Sequence, residues 1–141
     1  MQSYQYAHTV GFSEVDAAGI VFFSRFFEIA HRALESFFHS LDLPFATVMR
    51  EDRWAFPLVH AGADFHNPAR LGDTLGINLT LDKLSKSSFT VRYEIQSGDS
   101  RPLATVRTAH VWLAVATFSK ASIPDDLHTR LILYCADKSP D

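Results

Sequence analysis

The sequence predicts an α+β domain in which a curved antiparallel sheet of about five strands wraps one long helix. Three observations carry this. An alternating stretch opens the chain, a helical period follows over Phe22–Leu41, and four further strand patterns then run in succession, separated by turn-forming residues. A helix with a broad apolar side must be covered, and a sheet curved around it is the economical cover.

Each element has its own reason. Tyr4, Tyr6, His8, Val10 and Phe12 alternate with smaller or polar residues, as in a half-buried strand. In the helix, Phe22, Phe26, Ile29, Ala30, Ala33, Phe37 and Leu41 share one side. Glu28, Arg32, Glu35, Ser36 and His39 take the other, with Glu28 and Arg32 at a favourable spacing of four. Pro44 ends the helix, because proline disfavours helical geometry in the residue before it. A linker around Met49–Arg53 leads to strands over Trp54–Phe65, Leu75–Leu81, Phe89–Ile95 and Leu103–Phe118, with turns at Pro68, at Gly72-Asp73 and at Ser97–Ser100. A short helix is expected within Pro124–Tyr134. The strands Trp54–Phe65 and Leu103–Phe118 carry apolar residues on both faces. That predicts a sheet whose outer face is also buried, in a dimer or larger assembly.

Composition bounds the function. A chain of 141 residues suits one domain spanning 1–141, and 47% hydrophobic with 21% charged residues is ordinary for a soluble globular protein. A formal charge of −3 argues against a broad nucleic-acid-binding surface. The single Cys135 can form no internal disulfide and favours a reducing, cytoplasmic setting. No segment approaches the roughly 18 uninterrupted apolar residues of a membrane span. The opening MQSYQYAHTV lacks the basic and apolar regions of a signal peptide. His60 and His66 are six apart without a third ligand, so no metal site is expected.

The stretch SEVDAAGIVFFSRF, Ser13–Phe26, holds the chemistry. An aspartate near a helix start is first a capping candidate, worth roughly 0.5–2 kcal/mol. Asp16 stands about five residues ahead of the expected first turn at Val21–Ser24, too far for an ordinary N-cap. Gly19 permits a bend that could bring the Asp16 carboxylate and the free helix N–H groups into one small volume. Two readings stand: a structural acidic loop, or a carboxylate beside an oxyanion-binding helix end, able to hydrolyse an activated acyl group.

The segment HTVGFSEVDAAGIVFFSRFFEIAHRALESFF resembles the opening of the 4-hydroxybenzoyl-CoA thioesterase family, whose pattern is an apolar strand, then D-x-x-G-I/V-V and two aromatics leading into the central helix. The similarity extends more loosely through FPLVHAGADFHNPARLGDTL and LDKLSKSSFTVRYEI, over roughly residues 4–116. It implies a hot-dog fold, thioester hydrolysis without a cofactor, and an acyl-CoA substrate. Within the family the chain looks most like the 1,4-dihydroxy-2-naphthoyl-CoA thioesterases of phylloquinone biosynthesis, with the 4-hydroxybenzoyl-CoA enzymes next. A homodimer with its active site at the subunit interface is implied, and a tetramer is compatible with it.

The resemblance places the catalytic carboxylate on Asp16, as nucleophile or general base, and the oxyanion donor on the backbone N–H of Phe23, with Gly19 shaping the loop. Relatives often carry tyrosine at the Phe23 position, whose loss here spares the backbone donor. A family branch that uses a helical glutamate would need Glu28 or Glu35, both on the polar side. The cluster KLSKSS falls where relatives contact coenzyme A, which nominates Lys86, Ser87 and Lys83, with Arg70 and Lys120 behind them; a solvated hairpin flank fits the same residues. His60, Trp54 and Phe56 lie near the expected acyl pocket, although a buried histidine satisfied by a carbonyl and plain core aromatics are the more ordinary readings of the same residues. Hot-dog dehydratases would require a histidine in Gly11–Ser24, which contains none. A non-catalytic acyl-CoA sensor would have no reason to keep Asp16.

Overall fold

A computed structural model of the chain describes residues 1–51 and 53–136. Five strands form one antiparallel sheet in the order β1-β4-β5-β6-β3: β1 is Tyr4–Thr9, β3 Leu58–Phe65, β4 Thr74–Leu84, β5 Ser88–Gln96 and β6 Pro102–Val111. The helix α1, Arg25–Ser40, crosses the concave face of this sheet. Its buried residues Phe26, Ile29, Ala30, Ala33, Leu34, Phe37 and Phe38 pack on Leu75, Ile77, Leu79 and Leu81 of β4 and on Phe89, Val91, Tyr93 and Ile95 of β5. The spacing of three and four along α1 produces that stripe, and alternation along β4 and β5 produces the surface that receives it. This is the wrapped-helix architecture that the sequence predicts. Among the described residues, no helix is long and apolar enough to cross a membrane.

Several boundaries differ, each for a tertiary reason. The helix begins at Arg25, because Val21 pairs with Val15 and the Phe22 N–H is taken by the Glu14 carbonyl at 3.0 Å. Phe22 therefore stands half exposed before the helix and does not join its buried face. The strand expected over Trp54–Phe65 breaks at Pro57, which has no N–H to give a ladder. Its first part is β2, Trp54–Ala55, in a separate three-stranded sheet with β7, Leu113–Ala114, and β8, Ser119–Lys120. The strand expected over Leu103–Phe118 breaks at Trp112, whose N–H turns to the Ser87 carbonyl at 2.8 Å.

The short helix α2, Phe45–Glu51, occupies part of the expected linker, of which Asp52 lies outside the described residues. Its start was signalled by Pro44, a residue suited to a helix N-terminus, whose carbonyl accepts the Thr47 and Val48 N–H groups. The C-terminal helix α3 spans Asp125–Leu131.

The outer face of the main sheet is polar, contrary to the expectation of a second buried surface. Register places Asp82, Arg92, Glu94, Thr105 and Arg107 together there, with Arg107 donating to Asp82 at 3.0 Å and Thr105 to Glu94 at 2.9 Å. The two-faced apolar pattern arose from joining segments that belong to different sheets. The apolar surface lies elsewhere, along β3. This strand is a sheet edge, and Leu58 and Val59 at one end and Phe65 at the other are half exposed or more.

Candidate active site

Asp16 sits at the head of a tight turn. Val15 and Val21 pair across it, the Asp16 N–H donates to the Ile20 carbonyl and the Gly19 N–H to the Asp16 carbonyl, both at 2.9 Å. Gly19 has φ of 77°, in the left-handed region that glycine alone enters at little cost. One carboxylate oxygen, Oδ1, accepts the Ala18 N–H at 2.9 Å and the Ile20 N–H at 3.5 Å. The other, Oδ2, has no partner among the described residues. The turn thus fixes the carboxylate by one oxygen and leaves the second free. Asp16 lines a cleft of about 510 Å³ together with Phe22, Phe23, Phe26, Phe65 and His66.

The helix start faces the same volume. No side chain caps α1: its N-cap Ser24 already has helical angles of −68° and −22°. The N–H groups of Phe23 and Ser24 have no acceptor among the described residues. Free N–H groups at the positive end of a helix suit a carbonyl oxygen that gains negative charge. The Phe23 ring, more than half exposed, packs edge-on against Phe65 at 6.4 Å.

Glu14 is a residue beside the site that the sequence reading passed over. Its carboxylate is buried, takes the Gly11 N–H at 2.8 Å and meets His8 Nε2 at 2.8 Å and 2.9 Å through its two oxygens. Burial pushes this carboxyl up, but the Gly11 hydrogen bond, His8 and the charge of Arg32 outweigh it and hold Glu14 below its ordinary value. Through its own carbonyl on Phe22, the same residue ties the Asp16 turn to the start of α1. The signal lay in the alternation of β1, which sends His8 to the side that Glu14 reaches.

Trp54 and Phe56 line a second, apolar cavity of about 340 Å³, with His31, Phe45, Val48, Pro57 and Phe118. Phe56 stacks between Phe38, at 5.1 Å and 15°, and Trp112, at 5.6 Å and 12°. Behind it, buried His110 gives its Nδ1–H to the Phe56 carbonyl at 3.1 Å. Burial, and less strongly the neighbouring His31, push His110 down against the effect of that carbonyl. Its Nε2 is hydrogen-bonded to the Thr108 hydroxyl at 3.0 Å, and that hydroxyl to the Tyr93 hydroxyl at 3.1 Å. The cavity wall is thereby braced by a satisfied polar chain. His60 does not join Trp54 and Phe56 there. It pairs with Ala109 on the outer face, where a Cβ at Gly62 would lie 3.5 Å from its Nε2.

The basic residues divide between the two ends of the molecule. Arg70 is beside the Asp16 turn: its backbone bridges Ile20, and the Leu71 N–H reaches the Gly19 carbonyl at 3.2 Å. Its exposed guanidinium forms no ion pair among the described residues. Lys83, Lys86 and Ser87 belong to the β4–β5 hairpin, whose Phe89 packs on Phe38 near the C-terminal end of α1. A helix of 16 residues spans about 24 Å, so within one chain this hairpin is roughly a helix length from Asp16. Exposed Lys120 follows the β7–β8 turn.

A helix mouth with a carboxylate and unpaired N–H groups, on a sheet wrapped around that helix, suits a thioesterase-like protein. The chain belongs to the thioesterase-like superfamily, whose family model matches residues 10–131. It is 36% identical over 132 residues to a 1,4-dihydroxy-2-naphthoyl-CoA hydrolase of Synechocystis, covering 93% of this chain and 96% of that one. The crystal structure of a 1,4-dihydroxy-2-naphthoyl-CoA thioesterase from Synechocystis superposes with a TM-score of 0.87 at 34% identity, over 93% and 96% of the two chains. A gentisyl-coenzyme A thioesterase superposes at 0.81 with 25% identity, over 90% and 98%.

Proposed function

We propose that this chain hydrolyses an aromatic acyl-CoA thioester to the free acid and coenzyme A, and that 1,4-dihydroxy-2-naphthoyl-CoA, in phylloquinone biosynthesis, is the substrate. The observation that carries the reading is the free Oδ2 of Asp16 in one cleft with the unpaired Phe23 N–H. With the thioester carbonyl on that N–H, Asp16 either attacks the carbonyl carbon or takes the proton of a water that does. Negative charge collects on the oxygen at the helix end, and the sulfur leaves with the C–S bonding pair as the coenzyme A thiolate; where Asp16 is the nucleophile, water then cleaves the mixed anhydride to the free acid and restores the carboxylate. The similarity to naphthoyl-CoA hydrolases supports the choice of acyl group, and so does the aromatic cavity, whose His31 can hydrogen-bond a ring hydroxyl.

The same reading makes the protein a homodimer of the cytoplasm. The β3 edge offers an unpaired backbone together with exposed Leu58, Val59 and Phe65. Pairing two such edges antiparallel about a twofold axis sets the Leu58 end of one strand beside the Phe65 end of the other. The Asp16 cleft of one protomer then meets the aromatic cavity of its partner. The basic hairpin of one chain also comes to the end that holds its partner's Asp16, where it can serve coenzyme A phosphates along with Arg70. A tetramer is two such dimers.

The test is thiol release from a panel of thioesters: 1,4-dihydroxy-2-naphthoyl-CoA, 4-hydroxybenzoyl-CoA, gentisyl-CoA and medium-chain acyl-CoAs. The naphthoyl ester should give the highest kcat/KM. Saturable binding of acyl-CoA without thiol release from any ester would instead make the protein a sensor. Unlabelled acid from a single turnover in oxygen-18 water identifies Asp16 as nucleophile, its oxygen passing to the acyl group when water cleaves the mixed anhydride at the aspartyl carbon.

A further inference from the structure

Phe118 is the residue of this fold least explained by the fold itself. It closes the loop 115–118 between β7 and β8, where Ala114 pairs with Ser119 and the Phe118 N–H reaches the Val115 carbonyl at 3.3 Å. Its φ is 48°, in the left-handed region, where the Cβ of a large side chain is crowded. Glycine or asparagine holds such a turn position freely. The ring recovers nothing for this by burial, since it is 72% exposed. Yet it borders the apolar cavity with Trp54 and Phe56, and it is the most exposed of the large apolar side chains there. The Thr117 and Ser119 hydroxyls, 2.7 Å apart across it, steady the turn that carries it.

We propose that Phe118 is a specificity-determining residue, closing the cavity mouth over the outer ring of a bicyclic aromatic acyl group. The inference rests on the acyl-pocket reading given under Proposed function. A fused second ring brings more apolar surface to the mouth of the cavity, where Phe118 stands, than a single ring does. Apolar contact with that ring offsets the backbone strain when substrate binds, and the contact is lost for smaller acyl groups. Strained side chains of this kind collect at ligand clamps because the ligand gains by their placement.

The test is Phe118→Gly, a substitution the left-handed backbone favours, so that thermal unfolding should occur at or above the wild-type temperature. Steady-state rates on 1,4-dihydroxy-2-naphthoyl-CoA and 4-hydroxybenzoyl-CoA are then compared for both proteins, with sedimentation velocity as a check on assembly. The expected result is a fall of about tenfold in kcat/KM for the naphthoyl ester, carried mainly by KM, with a smaller fall for the benzoyl ester. The ratio between the two substrates is the readout. An active variant with an unchanged ratio overturns the proposal. So does a variant that becomes monomeric and loses both activities equally, because Phe118 would then be an interface residue. If the wild-type protein cleaves neither ester, the acyl-pocket reading fails first and this inference fails with it.

Discussion

His8 and Glu14 form a closed clamp at the base of the Asp16 turn, with His8 Nε2 within 2.9 Å of both carboxylate oxygens and each side chain about nine-tenths buried. Glu14→Gln keeps the shape and weakens both bonds, at a cost of about 1–3 kcal/mol for a buried hydrogen-bonded charge. The pH dependence has a fixed sign. Because Glu14 is held below its ordinary 4.5, its stabilising contribution is complete above that value and disappears as pH falls through the lower folded-state value. Thermal unfolding of wild type and Glu14→Gln, measured from neutral to acidic pH, should converge at the acid end. Curves that remain parallel there would remove Glu14 from the account of acid lability.

Replacing Asp16 by Asn preserves an oxygen for the Ala18 N–H and removes the charge. The turn should therefore keep its geometry, and the melting temperature should stay near wild type. Turnover should fall by about a hundredfold or more, the usual loss when a positioned acid–base or nucleophilic group is removed. Equal turnover by a folded variant, measured as thiol release, would return Asp16 to the role of a structural loop residue.

Gly19→Ala separates conformation from sterics. A Cβ at this position meets nothing within 4 Å, so the cost is that of holding alanine at φ 77°, about 1–2 kcal/mol. Stability should fall by that modest amount. Activity should fall further, since relaxation of the turn moves Asp16 Oδ2 relative to the Phe23 N–H. A kcat that drops no more than the folded fraction would show that the turn tolerates the shift.

The proposed dimer predicts a surface variant with a large effect. Val59→Lys places a charge on the exposed β3 edge, where lysine blocks strand pairing. Since Val59 is mostly solvent-exposed in one chain, the isolated fold should keep its circular dichroism spectrum. Sedimentation velocity should report a monomer, and activity should be lost with assembly. An active monomer would place the whole site within one chain.

What could be read in the sequence follows from where the determining contacts lie. The α1 face was legible because its residues recur with helical period and all face one sheet. Asp16 and Gly19 were legible because a turn is local. His60 was not, because a register shift between Leu58 and His60 alters which side of β3 each residue faces. Glu14 was passed over because the strand pairing of β1 is what holds its partner His8 against it. The split at Trp112 depends on a bond to Ser87, 25 positions earlier in the chain, which no local pattern records.

The division of basic residues gives the last prediction. Arg70 adjoins the Asp16 turn in the same chain, whereas Lys86 lies near the other end of α1. If the β3 edges pair about a twofold axis, both reach coenzyme A in the dimer, but only Arg70 does so without a partner. Arg70→Ala and Lys86→Ala should each raise KM for acyl-CoA by about three- to tenfold with little change in kcat, as expected for a phosphate contact at an exposed site. Both effects should shrink as ionic strength rises and the charges are screened. In the monomeric Val59→Lys background, binding of coenzyme A itself, read by calorimetry, should still respond to Arg70→Ala and no longer to Lys86→Ala. A Lys86 effect that survives in the monomer would mean that the hairpin and the Asp16 cleft are joined within a single chain.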